Sequence, residues 1–195
     1  MNNYELQTNT PIYKPIHYRI GEFLALKHFF ALENKEKSIL DVGCGCGDAV
    51  GILNKMGYRD VIGFDLNPKK TRIGRELGYN VCTKDVLELT PSYEVDYIWC
   101  SHTFEHFPEP ERSLALMRDM LAYNGEIIFI LPYPDTDPNP AHCASSIIGL
   151  DVVGADKVDS GETVMRWFQK RGLTYKEHKF DVYREPEIWI RMEKT

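Results

Sequence analysis

The 195-residue chain contains no apolar run approaching the roughly eighteen residues that a membrane-crossing helix needs. Its first residues (Asn2, Asn3, Glu5, Gln7) are polar, so the hydrophobic stretch of a secretory signal is missing. Both shortages lead to the expectation of a cytoplasmic protein without a membrane partner. Positive charge is scarce as well: 23 Lys and Arg stand against 29 Asp and Glu, for a net charge of −6. That balance argues against an extended nucleic-acid track, which relies on clustered basic residues. Cysteines number five, an odd count in a chain with no export signal, so reduced thiols are expected. Cys44 and Cys46 are closely spaced, but no second pair is placed to complete a tetrahedral metal site. There is no internal repeat, low-complexity tract or break in composition, and the length suits one domain with a full core. Residues 1–195 are therefore expected to form a single unit.

What is present begins with Ile39-Leu40-Asp41-Val42-Gly43-Cys44-Gly45-Cys46-Gly47. A short apolar strand with one acid empties into a loop lacking side chains at alternate positions. Such a loop lets a ligand touch backbone at the carboxyl end of a strand. The dinucleotide fingerprint G-x-G-x-x-G is absent, because Asp48 and Val50 stand where its last glycine would fall. Around this loop the pattern alternates. Strands are expected at 38–42, 60–64, 79–83, 95–100 and 126–131, and helices at 16–32, 48–56, 67–77 and 110–122. This rhythm predicts an α/β fold with a parallel sheet covered by helices on both faces. It breaks at 132–145, where four prolines mark a long loop after a strand's carboxyl end. A helix at 160–171 and two strands at 174–182 and 187–192 follow, the strands forming an antiparallel hairpin on the sheet edge. Residues 1–32 then read as an N-terminal arm and helix, and 133–160 as an active-site loop or lid.

Four features fit a nucleoside-containing ligand. The glycine loop supplies Gly43 and Gly45, with Asp41 ahead of them to accept from a cationic or amine group. Asp65, 22 residues past Gly43, ends the second strand where a carboxylate can accept both ribose hydroxyls. Asp85 ends the third strand, able to accept from an adenine amino group, with Val86 beside it to pack on the ring. Cys100 and Ser101 end the fourth strand and offer backbone contacts. Taken singly, each acid is as well explained as a helix cap; together, at successive strand ends, they form one constellation.

Asp41-Val42-Gly43-Cys44-Gly45-Cys46-Gly47 resembles motif I of the class I S-adenosylmethionine-dependent methyltransferases. Phe64-Asp65-Leu66-Asn67 resembles their acidic motif after the second strand, and Cys82-Thr83-Lys84-Asp85 their adenine-side motif. The stretch from Val95 through Ser101 to Phe107 resembles the fourth-strand motif of the small-molecule branch. Residues 121–130 resemble the turn and fifth strand, with Tyr123-Asn124-Gly125 standing where the family has Pro-Gly-Gly. The resemblance covers about residues 36–132. It implies a Rossmann-like, mostly parallel seven-stranded sheet ending in an antiparallel hairpin. It also implies S-adenosylmethionine bound by Asp41, Gly43, Gly45, Asp65, Leu66, Asp85, Val86, Cys100 and Ser101.

Past the fourth strand lie His102, Glu105 and His106, which would share a face if a helical turn began there. His142 stands in the loop after the neighbouring fifth strand. Two imidazoles and a carboxylate suit a divalent metal such as Mn, Fe, Co, Zn or Mg. The ubiquinone-pathway O-methyltransferases and the small-RNA 3′-terminal 2′-O-methyltransferases carry Glu-x-x-Glu-His here with metal bound. The latter add a His after the fifth strand. This chain has His102 where their first Glu stands. Three readings stay open for His102, Glu105, His106 and His142: a metal site, an acid–base pair with His102 or His106 as catalytic group, or a pocket-shaping cluster. Tyr13, His17 and Tyr18 are candidates for a cap over the cofactor. Tyr133, Asp135 and Asp137 are candidates for the mouth, where turn-capping competes with substrate binding.

The expected function is methyl transfer from S-adenosylmethionine to a small polar acceptor, first to oxygen and next to nitrogen. Methylation of an RNA terminus is the enzymatic alternative. A cofactor-binding or partner-binding protein without turnover is the other. Neither the acceptor nor the oligomeric state is written in the sequence.

Overall fold

The computed structural model describes residues 16–90, 94–151 and 161–195. The expected arm with Tyr13, and residues 152–160 of the expected lid, lie outside the described residues. The chain alternates helix α1 (Ile16–Phe30), strand β1 (Ile39–Val42), α2 (Asp48–Lys55), β2 (Val61–Asp65), α3 (Pro68–Glu76) and β3 (Val81–Thr83). It continues through β4 (Val95–Ser101), α4 (Pro110–Asp119) and β5 (Leu121–Pro132), then a short α5 (Ser145–Ile148) and α6 (Glu162–Gln169). Strands β6 (Leu173–Asp181) and β7 (Glu187–Lys194) complete it. The seven strands form one sheet in the order β3-β2-β1-β4-β5-β7-β6. Strands β1 to β5 run parallel, and β7 inserts antiparallel between β5 and β6.

This order follows from the residues. Strand β1 is buried at all four positions and β4 at six of seven, which suits central parallel strands covered on both faces. The chain leaves β1 in one direction to build β2 and β3, then returns to place β4 on the other side of β1. The reversal opens a crevice at the carboxyl ends of β1 and β4, where ligands of such sheets bind. Strand β5 shows how the faces divide. Ile127, Phe129 and Leu131 belong to one apolar cluster, and Ile128 and Ile130 to the other. Phe129 stacks on Phe168 of α6 at 4.3 Å, while Trp99 and Trp189 pack with Phe29 of α1 on the opposite face. Trp167, Phe168 and Trp189 are core residues, as their apolar spacing suggests.

Three expectations change. Helix α1 ends at Phe30 rather than at residue 32; Ile20, Phe23 and Leu24 stay about 40% exposed, and its inward stripe is Glu22, Ala25, Leu26, Phe29 and Phe30. The rotation is set by Glu22, whose carboxylate is buried against Arg184. Helix α4 stops at Asp119, and Leu121 already pairs with Val95 in the sheet. The turn that precedes regular pairing puts Asn124 at φ 58, a left-handed position that asparagine tolerates. The 132–145 loop also leads into α5, a helix that the proline-rich sequence did not suggest.

Asp96 ties the entry of β1 to β4. Its carboxylate accepts from Lys37 Nζ (2.6 Å), Ser38 N (2.9 Å) and Ser38 Oγ (2.9 Å). Partial burial opposes ionisation, but these hydrogen bonds outweigh it and hold the carboxyl below its ordinary value. A group depressed on folding stabilises above its unfolded pKa and loses that contribution as pH falls through the folded one. Asp96→Ala is therefore expected to cost about 1–2 kcal/mol at neutral pH, after discounting for partial exposure. In urea unfolding the difference from the native chain should shrink below the ordinary aspartate range; a difference independent of pH would refute the assignment.

Candidate active site

The glycine loop is built for close approach. Gly43, Gly45 and Gly47 all have positive φ (80, 57 and 81°). At Gly43 a Cβ atom would stand 2.1 Å from Thr103 Oγ1, so the loop after β1 touches the segment after β4 only because the side chain is missing. Gly43 N and Cys44 N both donate to Phe64 O (2.7 and 3.0 Å), which fixes the loop to the end of β2. Asp65 completes the frame. One carboxylate oxygen accepts from Gly45 N (2.8 Å) and the other from Asn67 N (2.7 Å). A carboxylate has about four acceptor positions, so it can still receive two hydroxyls.

A cleft of about 210 Å³ opens beside this frame. Of the nine sequence-proposed cofactor residues, Gly43, Asp65, Leu66, Asp85 and Val86 line it. Asp85 also caps a turn by accepting from Leu87 N (2.9 Å). Gly45 acts through its bond to Asp65. Asp41 is buried within β1, paired in register with Gly63 and Trp99. Cys100 is fully buried in the apolar core, where burial pushes its thiol well up. Ser101 Oγ donates to Glu22 (3.0 Å) rather than into the cleft. Lys84, Leu87, Leu89, Thr103, Phe107 and Pro108 also line the cleft. Thr103 and Phe107 lie within the fourth-strand motif and Pro108 directly after it, so the signal was present although none of the three was singled out. Leu87 and Leu89 carry no such signal, since an apolar residue after a strand end reads equally as core.

The expected helical turn carrying 102, 105 and 106 on one face does not form. Strand β4 runs through Ser101, His102 adopts φ 47, and only a single 3₁₀ turn follows at Phe104–His106. Three of the four proposed ligands come together: ligand atoms of Glu105, His106 and His142 lie within 4.8 Å of one another. Glu105 is 1% exposed, and its Oε2 has no hydrogen-bond partner among the described residues. His106 Nδ1 donates to Ala141 O (3.0 Å). His142 Nδ1 donates to Asp135 Oδ2 (2.8 Å), and Ser145 Oγ donates to the same carboxylate. In the neutral rings both Nε2 atoms then carry the lone pair, the orientation that metal-binding histidines take from such outer partners. The hydrogen bond to Asp135 raises His142 above the ordinary histidine value against the effect of burial. Asp135 thus orients a candidate ligand, while Asp137 caps the next turn through Asn139 N (2.9 Å). Tyr133 is not at the mouth: it is buried, accepting from Gly161 N.

His102 faces a different set. Its Nε2 lies 2.8 Å from Glu187 Oε2, and its Nδ1 3.2 Å from Glu185 Oε1 and 3.8 Å from Glu105 Oε1. Arg184, whose side chain is fully buried, donates to Glu187 and to Glu22 (Nη1 to Oε2, 2.8 Å). Trp99 Nε1 and Trp189 Nε1 donate to Glu22 (2.7 Å) and Glu187 (2.6 Å). Tyr18 sets its ring edge-on to His102 at 6.4 Å, whereas His17 is exposed. Burial and the nearby Glu185 raise the Tyr18 phenol.

A glycine loop, two acids at successive strand ends and an apolar-walled cleft at the sheet reversal define a nucleoside-cofactor site of the class I methyltransferase kind. The family comparison agrees: a methyltransferase-domain model matches residues 16–178, and the chain belongs to that family of S-adenosylmethionine-dependent methyltransferases. The ubiquinone biosynthesis O-methyltransferase of Aliivibrio fischeri (strain ES114) is 27% identical over 129 residues, covering 60% of this chain and 53% of that protein. The chain spans about half the length of the curated relatives it matches. Magnesium protoporphyrin IX methyltransferase from Synechocystis PCC 6803, solved with bound S-adenosylmethionine, superposes at a TM-score of 0.72 with 12% identity, covering 100% of this chain and 98% of that one. N-methyltransferase NodS from Bradyrhizobium japonicum WM9 superposes at 0.66 with 17% identity, covering 93% and 98%. At these identities the two structures speak to the fold. No described helix is long and apolar enough to cross a membrane.

Asp65→Ala removes both the anchor of Gly45 and the ribose acceptor. Losing hydrogen bonds to a charged group predicts about 10- to 100-fold weaker binding of S-adenosylhomocysteine by calorimetry. Unchanged affinity would remove Asp65 from the site.

Proposed function

We propose that the chain transfers the methyl group of S-adenosylmethionine to an oxygen of a small polar acceptor, with a divalent metal held by Glu105, His106 and His142. The observation that carries this reading is the convergence of one buried carboxylate and two imidazoles whose Nδ1 atoms are already bonded outward. The donor set fits: two nitrogens and one oxygen suit Mn, Fe, Co or Zn better than Mg, and the open Oε2 of Glu105 is a buried acceptor in need of a cation. When bound, such an ion supplies Lewis-acid stabilisation of an acceptor hydroxyl as it loses its proton.

The protein's own contribution is alignment. Thr103, Phe107 and Pro108 line the cofactor cleft, and Glu105 and His106 sit between them in sequence. One short segment therefore borders both the donor and the acceptor, and in-line transfer gains mainly from such fixed geometry. The net charge of −6 supports a small acceptor over an RNA terminus. The match to O-methyltransferases supports oxygen as the nucleophile.

Metal analysis and calorimetry on chelator-stripped protein test this. One equivalent of Zn²⁺ or Mn²⁺ should bind, and Asp135→Ala should weaken it about 10- to 100-fold by releasing the His142 ring. Transfer to a panel of hydroxyl acceptors should vanish in chelator and return with metal. Absence of metal uptake, with transfer undiminished in chelator, would sink the metal reading and leave the cofactor reading intact.

A further inference from the structure

His102 occupies a position from which an imidazole is expected to join the neighbouring ligands, yet it stands outside the group that converges. Its backbone takes φ 47, uncommon for a residue with a side chain, and its amide is fixed by donation to Ile130 O (2.8 Å). Such a conformation costs on the order of 1–3 kcal/mol and persists only where the surroundings over-determine it. Here they do. Glu187 is 1% exposed and receives His102 Nε2, Arg184 and the Trp189 indole. Arg184 is in turn clamped by Glu22 from α1. Holding a guanidinium and two carboxylates out of water adds little to stability compared with apolar packing, so stability alone does not explain the arrangement. What it does accomplish is to fix one ring. His102 Nδ1 stands 3.8 Å from Glu105 Oε1, yet His102 lies outside the set whose ligand atoms all converge within 4.8 Å.

We propose that Glu187, locked by Arg184, is a positioning residue that holds His102 out of the metal's ligand set, keeping that coordination position open for an oxygen of the acceptor. This rests on the metal reading above. Three protein ligands would leave a bound ion positions for exogenous oxygens, and one further imidazole would close one of them.

Cobalt(II) is the probe, because its visible absorption reports ligand number. The metal-stripped protein is titrated with Co²⁺ in the native form, His102→Asn, Glu187→Gln and the double variant. The native chain and His102→Asn should give the same spectrum, with affinities within about threefold, since no ligand is lost. Glu187→Gln offers one acceptor oxygen where Arg184, Trp189 and His102 all donate. It should free the ring, strengthen the absorption and tighten binding about fivefold or more as a fourth protein ligand joins. Adding His102→Asn should reverse both changes, which a general loosening of the fold would not do. If Glu187→Gln does not fold by circular dichroism, Glu187→Asp, with a shorter reach, carries the same expectation. A tenfold loss or altered spectrum in His102→Asn would make His102 a ligand and overturn the proposal. So would an unchanged spectrum in the folded Glu187 variant. Failure of the native chain to bind Co²⁺ at all would instead strike the metal reading itself.

Discussion

The carboxyl end of this sheet depends on one buried cation. Arg184 has no exposed side-chain surface, and a guanidinium there is tolerable only because Glu22 and Glu187 neutralise it from two sides. Those carboxylates come from α1 and β7, at opposite ends of the chain. Their demand explains features that look unrelated. Residue 21 has no room for a side chain, since a Cβ would lie 2.2 Å from Arg184 Cγ. The helix turns its apolar Ile20, Phe23 and Leu24 outward so that Glu22 can face in. Two tryptophans find acceptors for indole hydrogens that would otherwise be buried unpaired, and His102 receives a fixed orientation. Removing either carboxylate would leave charge stranded in the interior, a change that typically costs about 3–5 kcal/mol.

A second constraint acts across the switch between β1 and β4. Because Gly43 has no side chain, Thr103 packs directly against the glycine loop. The turn after β4 is thereby pinned to the loop that faces the cofactor cleft. Glu105 and His106 ride on that turn, and Ala144 N donating to Glu105 O (2.9 Å) ties it to the segment bearing His142. The distance between donor site and candidate metal site is thus set by a close-packed threonine and a backbone hydrogen bond rather than by long flexible side chains, which is how alignment is made reproducible.

Features written in local pattern were legible in the sequence. The alternation of strands and helices, the glycine loop and the acids at 65 and 85 depend on neighbours in sequence, and they led to the seven-stranded sheet and to five cleft-lining residues. Long-range pairings were not legible. Nothing near Glu22 announces Arg184, 162 positions away, so the buried carboxylate on the inward face of α1 was not expected. The helical face proposed for 102, 105 and 106 failed because the positive φ of His102 is imposed from β5 and β7. His142 stands beside Glu105 and His106, though not His102, because parallel neighbours bring the loops after β4 and β5 together. For its partner Asp135 the sequence left substrate binding and turn-capping open; the residue does cap a turn, accepting from Asp137 N (3.2 Å), and its hold on His142 had no local signal.

The departure at position 102 bears on how the site works. Where related methyltransferases carry a glutamate, this chain carries a histidine, and the two differ in more than charge. A glutamate at 102 would face Glu187, Glu185 and Glu105, four carboxylates around one point with Arg184 already engaged by Glu22 and Glu187. Like charges at such spacing disfavour ionisation and would need a cation to hold them. An imidazole removes that requirement, because it donates to Glu187 and brings no negative charge of its own. The substitution therefore lets this edge of the site order itself without an ion. The histidine at 102 and the buried Glu187–Arg184 pair make sense together, and each would be a liability without the other.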